Sequence, residues 1–158
     1  MKRPTWTIVW TEEMSVGIDE MDQDHKKCFS LIHALNYSIT AHMPPAEIRN
    51  RLQLIVADAL RHFGEEEKLF KEWNYPNTLA HALRHAQIAE SLNYILDHFE
   101  PYGHDSSWLA ASLNVKNLLL KHFLTEDMVY AKFYRNFLAA QAGFSDGGAG
   151  EISGSAPL

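Results

Sequence analysis

Apolar side chains recur at intervals of three and four from about Asp19 to Met43, where Phe29, Ile32 and Ile39 share a face with His25, Cys28, Leu35 and Asn36. Such a period predicts a helix with one buried stripe. Pro44-Pro45 ends it, and Pro45 suits the first turn of a second helix because its missing N–H would be unpaired there in any case. The second helix carries Ile48, Leu52, Ile55, Ala59, His62, Glu66, Leu69 and Trp73 inward and stops at Asn74-Tyr75-Pro76-Asn77. A third, from about Asn77 to Phe99, turns His81, His85, Ile88, Leu92, Ile95 and Phe99 inward before Pro101 and Gly103. The fourth starts near Asp105, Ser106 or Ser107, each able to cap a helix, and runs through Trp108, Ala111, Val115, Leu118, Leu119 and His122 to Ala131 and Tyr134.

Four long helices joined by short links make sequence neighbours antiparallel. The predicted fold is therefore all-α, an up-down-up-down four-helix bundle. Residues 1–18 have no helical period but contain Trp6, Ile8, Trp10, Val16 and Ile18, which predicts an extended arm laid across the bundle. Trp6 and Trp10 would cover either their own bundle or a neighbouring chain, so the oligomeric state stays open. The bundle is expected to occupy residues 1–138. Residues 139–158 are rich in Gly, Ser and Ala, bury little and are expected to form a disordered tail.

Composition narrows the partners. The net charge is −6 and the basic residues are scattered among the acids, which argues against nucleic acid or an anionic membrane surface. No apolar stretch approaches a membrane span and the start resembles no secretory leader. Cys28 stands alone, so no internal disulfide calls for an oxidising compartment, and a cytoplasmic location is expected.

The nine histidines carry the chemistry. Side chains four apart on a helix project from one face, close enough to share a metal ion or two adjacent ones. His62 with Glu66 and His81 with His85 are two such pairs, and His25 and His122 add one inward imidazole each from the first and fourth helices. A single histidine in an apolar stripe is commonly a hydrogen-bonded core residue. Five of them with a glutamate, buried without partners, would each cost about 1–3 kcal/mol, a cost that metal removes. Asp127 lies five residues beyond His122, about 140° round an ideal helix, so periodicity alone leaves it outside unless a π-bulge or an oblique approach brings it in. His33, His42, His98 and His104 read as surface or interfacial, and Glu65 and Glu67 as a solvated face. Asp19, Glu20, Asp22 and Asp24 suit the acid-rich start of a helix.

The stretches "GIDEMDQDHKKCF", "HFGEEEKLF", "YPNTLAHALRH" and "LLLKHFLTEDMVYAKFY" together resemble the hemerythrin family, its single-domain bacterial members in particular, over about residues 6–135. The resemblance implies two iron ions. One is held by His81, His85 and His122, the other by His25 and His62; Glu66 and Asp127 bridge them with an oxide or hydroxide. Asp127 enters the set on this ground alone. The resemblance further implies reversible binding of dioxygen at the less filled iron, for oxygen storage, delivery or sensing. Phe63, Leu119 and Phe123 are candidates to shield that position. Cys28, where the family usually has an apolar residue, is a fourth candidate for the oxygen pocket, and Ile88 stands where the third helix often has Phe.

Two alternatives share the site: a di-iron enzyme such as a peroxidase, nitric oxide reductase or ferroxidase, and an iron- or oxygen-sensing module read by an unidentified protein partner. Imidazole-rich donors with only two carboxylates leave little negative charge to hold higher oxidation states, which favours reversible binding over oxygen activation.

Overall fold

A computed structural model of the chain describes residues 6–103 and 105–146. It is all-α, with α1 (Asp19–Thr40), α2 (Pro45–Trp73), α3 (Thr78–Asp97), α4 (Asp105–Leu124) and α5 (Glu126–Asp146). Helix α1 packs on α2 and α4, α2 on α3, and α3 on α4, which closes a ring of four helices. The proline-marked links act as expected. Pro45 opens α2, and Asn74 closes it in the left-handed conformation (φ 51°), its N–H donating to Lys71 O and Phe70 O. Among the described residues, no helix is long and apolar enough to cross a membrane.

The fourth apolar pattern is not one helix. It breaks at Thr125, which separates α4 from α5. The Thr125 N–H donates to His122 O (3.3 Å), a tighter turn than the α-helix makes, while its hydroxyl donates to Lys121 O (2.6 Å). The phase of the helix is reset there. The expected boundary also shifts: α5 continues to Asp146, so residues 139–146 are helical, whereas the tail expectation for residues 147–158 lies outside the described residues, as does the placement of His104.

From Trp6 onward the arm behaves as predicted. Trp6, Ile8 and Trp10 pack against the main core, with Ile8 N–H donating to His33 Nε2 (2.8 Å). Lys26 and Lys116 cover the outer faces of Trp10 and Trp6 at 4.7 and 4.8 Å. The two indoles thus lie on their own bundle. The turn into α1 uses Gly17 at φ 79°, a conformation that suits glycine, and Asp22 then accepts from Val16 N–H (2.9 Å) and Ser15 Oγ (2.5 Å).

Among the described residues, buried apolar side chains form two groups. The larger includes Ile32, Ile55, Leu92, Val115 and Leu119, each fully buried and each contributing on the order of 1.5–3 kcal/mol. The smaller joins Val16, Met21, Phe70, Trp73, Tyr75, Tyr130 and Ala131. Between them lies a layer of buried polar side chains: His25, His62, Glu66, His81, His85, His122 and Asp127, none more than 5% exposed.

Candidate metal centre

The two i, i+4 pairs reach this layer because the same period that buries the helix faces carries them inward. His62 and Glu66 come from α2, His81 and His85 from α3, His25 from α1 and His122 from the end of α4. Asp127 arrives from the first turn of α5. The break at Thr125, not a π-bulge, turns it inward and leaves it fully buried, with Oδ1 2.9 Å from His122 Nε2.

The donor atoms sort into two overlapping sets. Around one point stand His81, His85 and His122 with one oxygen each of Glu66 and Asp127; around the other stand His25 and His62 with the same two carboxylates. Each carboxylate divides its oxygens between the sets. Glu66 Oε1 lies 3.3 Å from His62 Nε2 and Oε2 lies 3.1 Å from His85 Nε2; Asp127 Oδ2 lies 3.2 Å from His25 Nε2 and Oδ1 lies 3.2 Å from His81 Nε2. Within the sets, His25 Nε2 faces His62 Nε2 at 3.1 Å and His85 Nε2 faces His122 Nε2 at 3.0 Å.

These separations match coordination geometry. Donors about 2.1 Å from one ion and at right angles to each other stand roughly 3.0 Å apart. Several of these atoms also have no hydrogen-bond partner: Glu66 Oε2, His81 Nε2, Asp127 Oδ1 and Asp127 Oδ2. Buried orphans of this kind are costly unless something binds them, so the donors fit a pair of metal ions.

Surrounding groups hold the donors. His62 Nδ1 pairs with Asp24 Oδ2 (3.2 Å), His85 Nδ1 with Glu67 Oε1 (2.9 Å), and His122 Nδ1 lies 3.5 Å from Glu126 Oε2. Arg61 in turn donates to Asp24 (2.8 Å) and Arg84 to Glu126 (3.0 Å). The Tyr130 hydroxyl donates to Glu66 Oε1 at 2.5 Å. Carboxylates on the far nitrogen of a ligating imidazole fix its orientation and strengthen it as a donor.

Without metal the layer behaves as an ion-pair network. Burial disfavours charge on His62, but its bonds to Asp24 and Glu66 outweigh burial and push its pKa up to about 10. Burial likewise opposes charge on His81, and Asp127 and Glu66 raise it to about 9. Burial also works against the charge of both carboxylates. Contacts with His62, His81 and His85 nevertheless hold Glu66 well below its usual range, and contacts with His122, His25 and His81 do the same for Asp127 against the added repulsion of Glu66.

The sequence from residue 16 to 137 matches the model of the Hemerythrin HHE cation binding domain. The chain belongs to the hemerythrin family. It is 27% identical over 124 residues to a bacteriohemerythrin of Stenotrophomonas maltophilia, covering 78% of this chain and 79% of that protein. A bacteriohemerythrin of Campylobacter jejuni is 25% identical over 123 residues (77% and 90%), and a hemerythrin-like protein of Naegleria gruberi 26% over 121 residues (77% and 88%).

The structure thus brings all seven residues suggested by the hemerythrin resemblance into one layer. Of the pocket candidates, Phe63 stacks on His85 (4.0 Å, 10°) and Phe123 on His25 (4.1 Å, 22°). Leu119 and Cys28 belong to the same buried group. Four supporting residues escaped the sequence reading. Asp24 and Glu67, which the sequence pattern places in an acidic helix start and on a solvated face, each hold a ring nitrogen, and the apolar period passes over Glu126 and Tyr130. Their signal was adjacency: Asp24, Glu67 and Glu126 each sit next to a layer residue, and Tyr130 lies one turn beyond Asp127. His33, His42 and His98 stand apart from the layer, on Ile8, Asp105 and Tyr94 O respectively.

Proposed function

We propose that this hemerythrin-family chain binds dioxygen reversibly at two iron ions held by His25, His62, Glu66, His81, His85, His122 and Asp127, with an oxide or hydroxide as third bridge, for oxygen storage, delivery or sensing. The observation that carries the proposal is the unequal division of donors, five on one side and four on the other. With one shared bridge added, six-fold coordination is complete at the first position, while the second keeps a place for a small ligand.

Bound as a ferrous pair, the metal would supply the two electrons that dioxygen accepts and returns on release. The chain's own groups set the surroundings. Phe63 and Phe123 lie flat on His85 and His25 and keep water from the imidazoles. Five neutral imidazoles against two carboxylates favour the ferrous state over more oxidised ones. Asp24 and Glu67 anchor one imidazole in each set, so the donors need little rearrangement when metal enters. A cytoplasmic location is part of the proposal.

The test is iron content per chain with optical spectra of the anaerobically reduced protein, the same sample in oxygen, and again after oxygen is removed. About two irons and a charge-transfer band that appears and disappears reversibly are expected. Immediate irreversible oxidation would overturn the carrier reading in favour of an enzyme or sensor, and a folded chain without metal would overturn it altogether.

A further inference from the structure

Tyr130 is fully buried and holds the layer at one atom only, Glu66 Oε1. That oxygen is the one turned toward the four-donor set, 3.3 Å from His62 Nε2 and 3.9 Å from His25 Nε2, whereas Oε2 faces His85 and His81 at 3.1 and 3.6 Å. A glutamate has one more rotatable bond than an aspartate, so Glu66 is the bridge freer to turn both oxygens onto a single ion. Asp127 has no comparable anchor outside the layer; its oxygens meet only the imidazoles of His25, His81 and His122.

The Tyr130 ring cannot easily move aside. Phe70 meets it at 5.0 Å, Trp73 at 6.2 Å and His81 at 5.7 Å. Its hydroxyl is therefore a fixed donor, and the bond to Glu66 is set by ring packing in the smaller apolar group.

We propose that Tyr130 is a positioning residue that keeps Glu66 divided between the two metal positions and so retains the ion at the four-donor position. This rests on the two-ion reading of the centre, though not on oxygen binding. Tyr130 acts through Glu66 and is not itself a ligand. Losing it frees Oε1 to join Oε2 at the five-donor position, which strips the weaker position of one of its four protein donors and leaves the stronger one fully served.

The experiment is chelator challenge of the metal-loaded protein as purified, with iron release counted per chain and the pair followed by Mössbauer spectroscopy. The unmodified chain is expected to release its two ions in two phases. In Tyr130→Phe the faster phase should speed up by about tenfold while the slower stays unchanged, since removing a partner of a metal-bound group typically changes affinity by 10–100-fold. The Mössbauer signal of the four-donor iron should change and the other should not. Trp73→Leu serves as the control, because it disturbs packing on the same ring but leaves the hydroxyl in place. Acceleration of both phases by a similar factor in both variants would mean that Tyr130 only packs, and would overturn the proposal, as would two unchanged phases in Tyr130→Phe. An unmodified chain that holds fewer than two ions overturns this proposal and the two-ion reading together. One that holds two ions but binds oxygen irreversibly overturns the carrier reading and leaves Tyr130 its role.

Discussion

Asp127 Oδ1 lies 2.9 Å from His122 Nε2, although five residues of continuous helix would set the two side chains about 140° apart. The single-residue break at Thr125 makes the contact. Because Asp127 also sends Oδ2 to His25, it serves both sets of donors, whereas His25 serves one. Asp127→Ala should therefore lower iron content at both positions, and His25→Ala should leave about one iron per chain. Metal analysis of the purified variants, beside circular dichroism to confirm helix content, distinguishes them. Equal loss in both would contradict the division of donors.

Asp24 is the leading group that raises His62 against burial. Asp24→Asn keeps the shape but removes the charge, so the His62 pKa in metal-free protein should fall from about 10 toward the ordinary histidine range, as a nuclear magnetic resonance titration would read. Iron should also leave the variant roughly 10–100-fold faster. An unchanged His62 titration would show that Glu66 and Asp127 sustain its charge without Asp24.

The pH dependence of the metal-free chain follows from the signs of the shifts. His62 and His81 are raised to about 10 and about 9, so their contribution is whole below the unfolded value of about 6.5 and is lost as pH rises through the folded values. Glu66 and Asp127 are depressed; their contribution is present above about pH 4–4.5 and is lost on acidification. Denaturant melts of metal-free protein should therefore show greatest stability between about pH 5 and 6.5. Metal reverses the alkaline side, because it binds the neutral imidazoles and its affinity rises with pH. Saturation at about 1,000 times the dissociation constant should add about 4 kcal/mol per site.

Cys28 is 5% exposed, and burial, with Asp58 and Asp24 adding to it, pushes its thiol far above the ordinary range. A thiol so protonated is a poor nucleophile and a poor ligand. A disulfide reagent should leave it unmodified in the native protein and label it fully in denaturant. Cys28→Ala should retain full iron content. Native-state labelling at the rate of a free thiol would show that the pocket opens to solvent.

Most of the bundle was legible in the order of residues because burial on a helix repeats with the helix's own period. His62 with Glu66 and His81 with His85 lie one turn apart on stripes whose other members are Ile55, Ala59, Ile88 and Leu92, so the local period that marks the core also marks these donors. Pro45 and Asn74 bound α2 through backbone constraints that act within a few residues. By itself, then, the sequence determined the helices, their inward faces and six of the seven layer residues. It could not determine where α4 loses its phase, since a single threonine inside an apolar period marks no break by its type alone. Nor could it tell Asp24 or Glu67 from solvent-facing acids. Whether a carboxylate beside a donor meets water or the imidazole of the next helix depends on how two helices are rotated against each other, and only the packed bundle sets that angle.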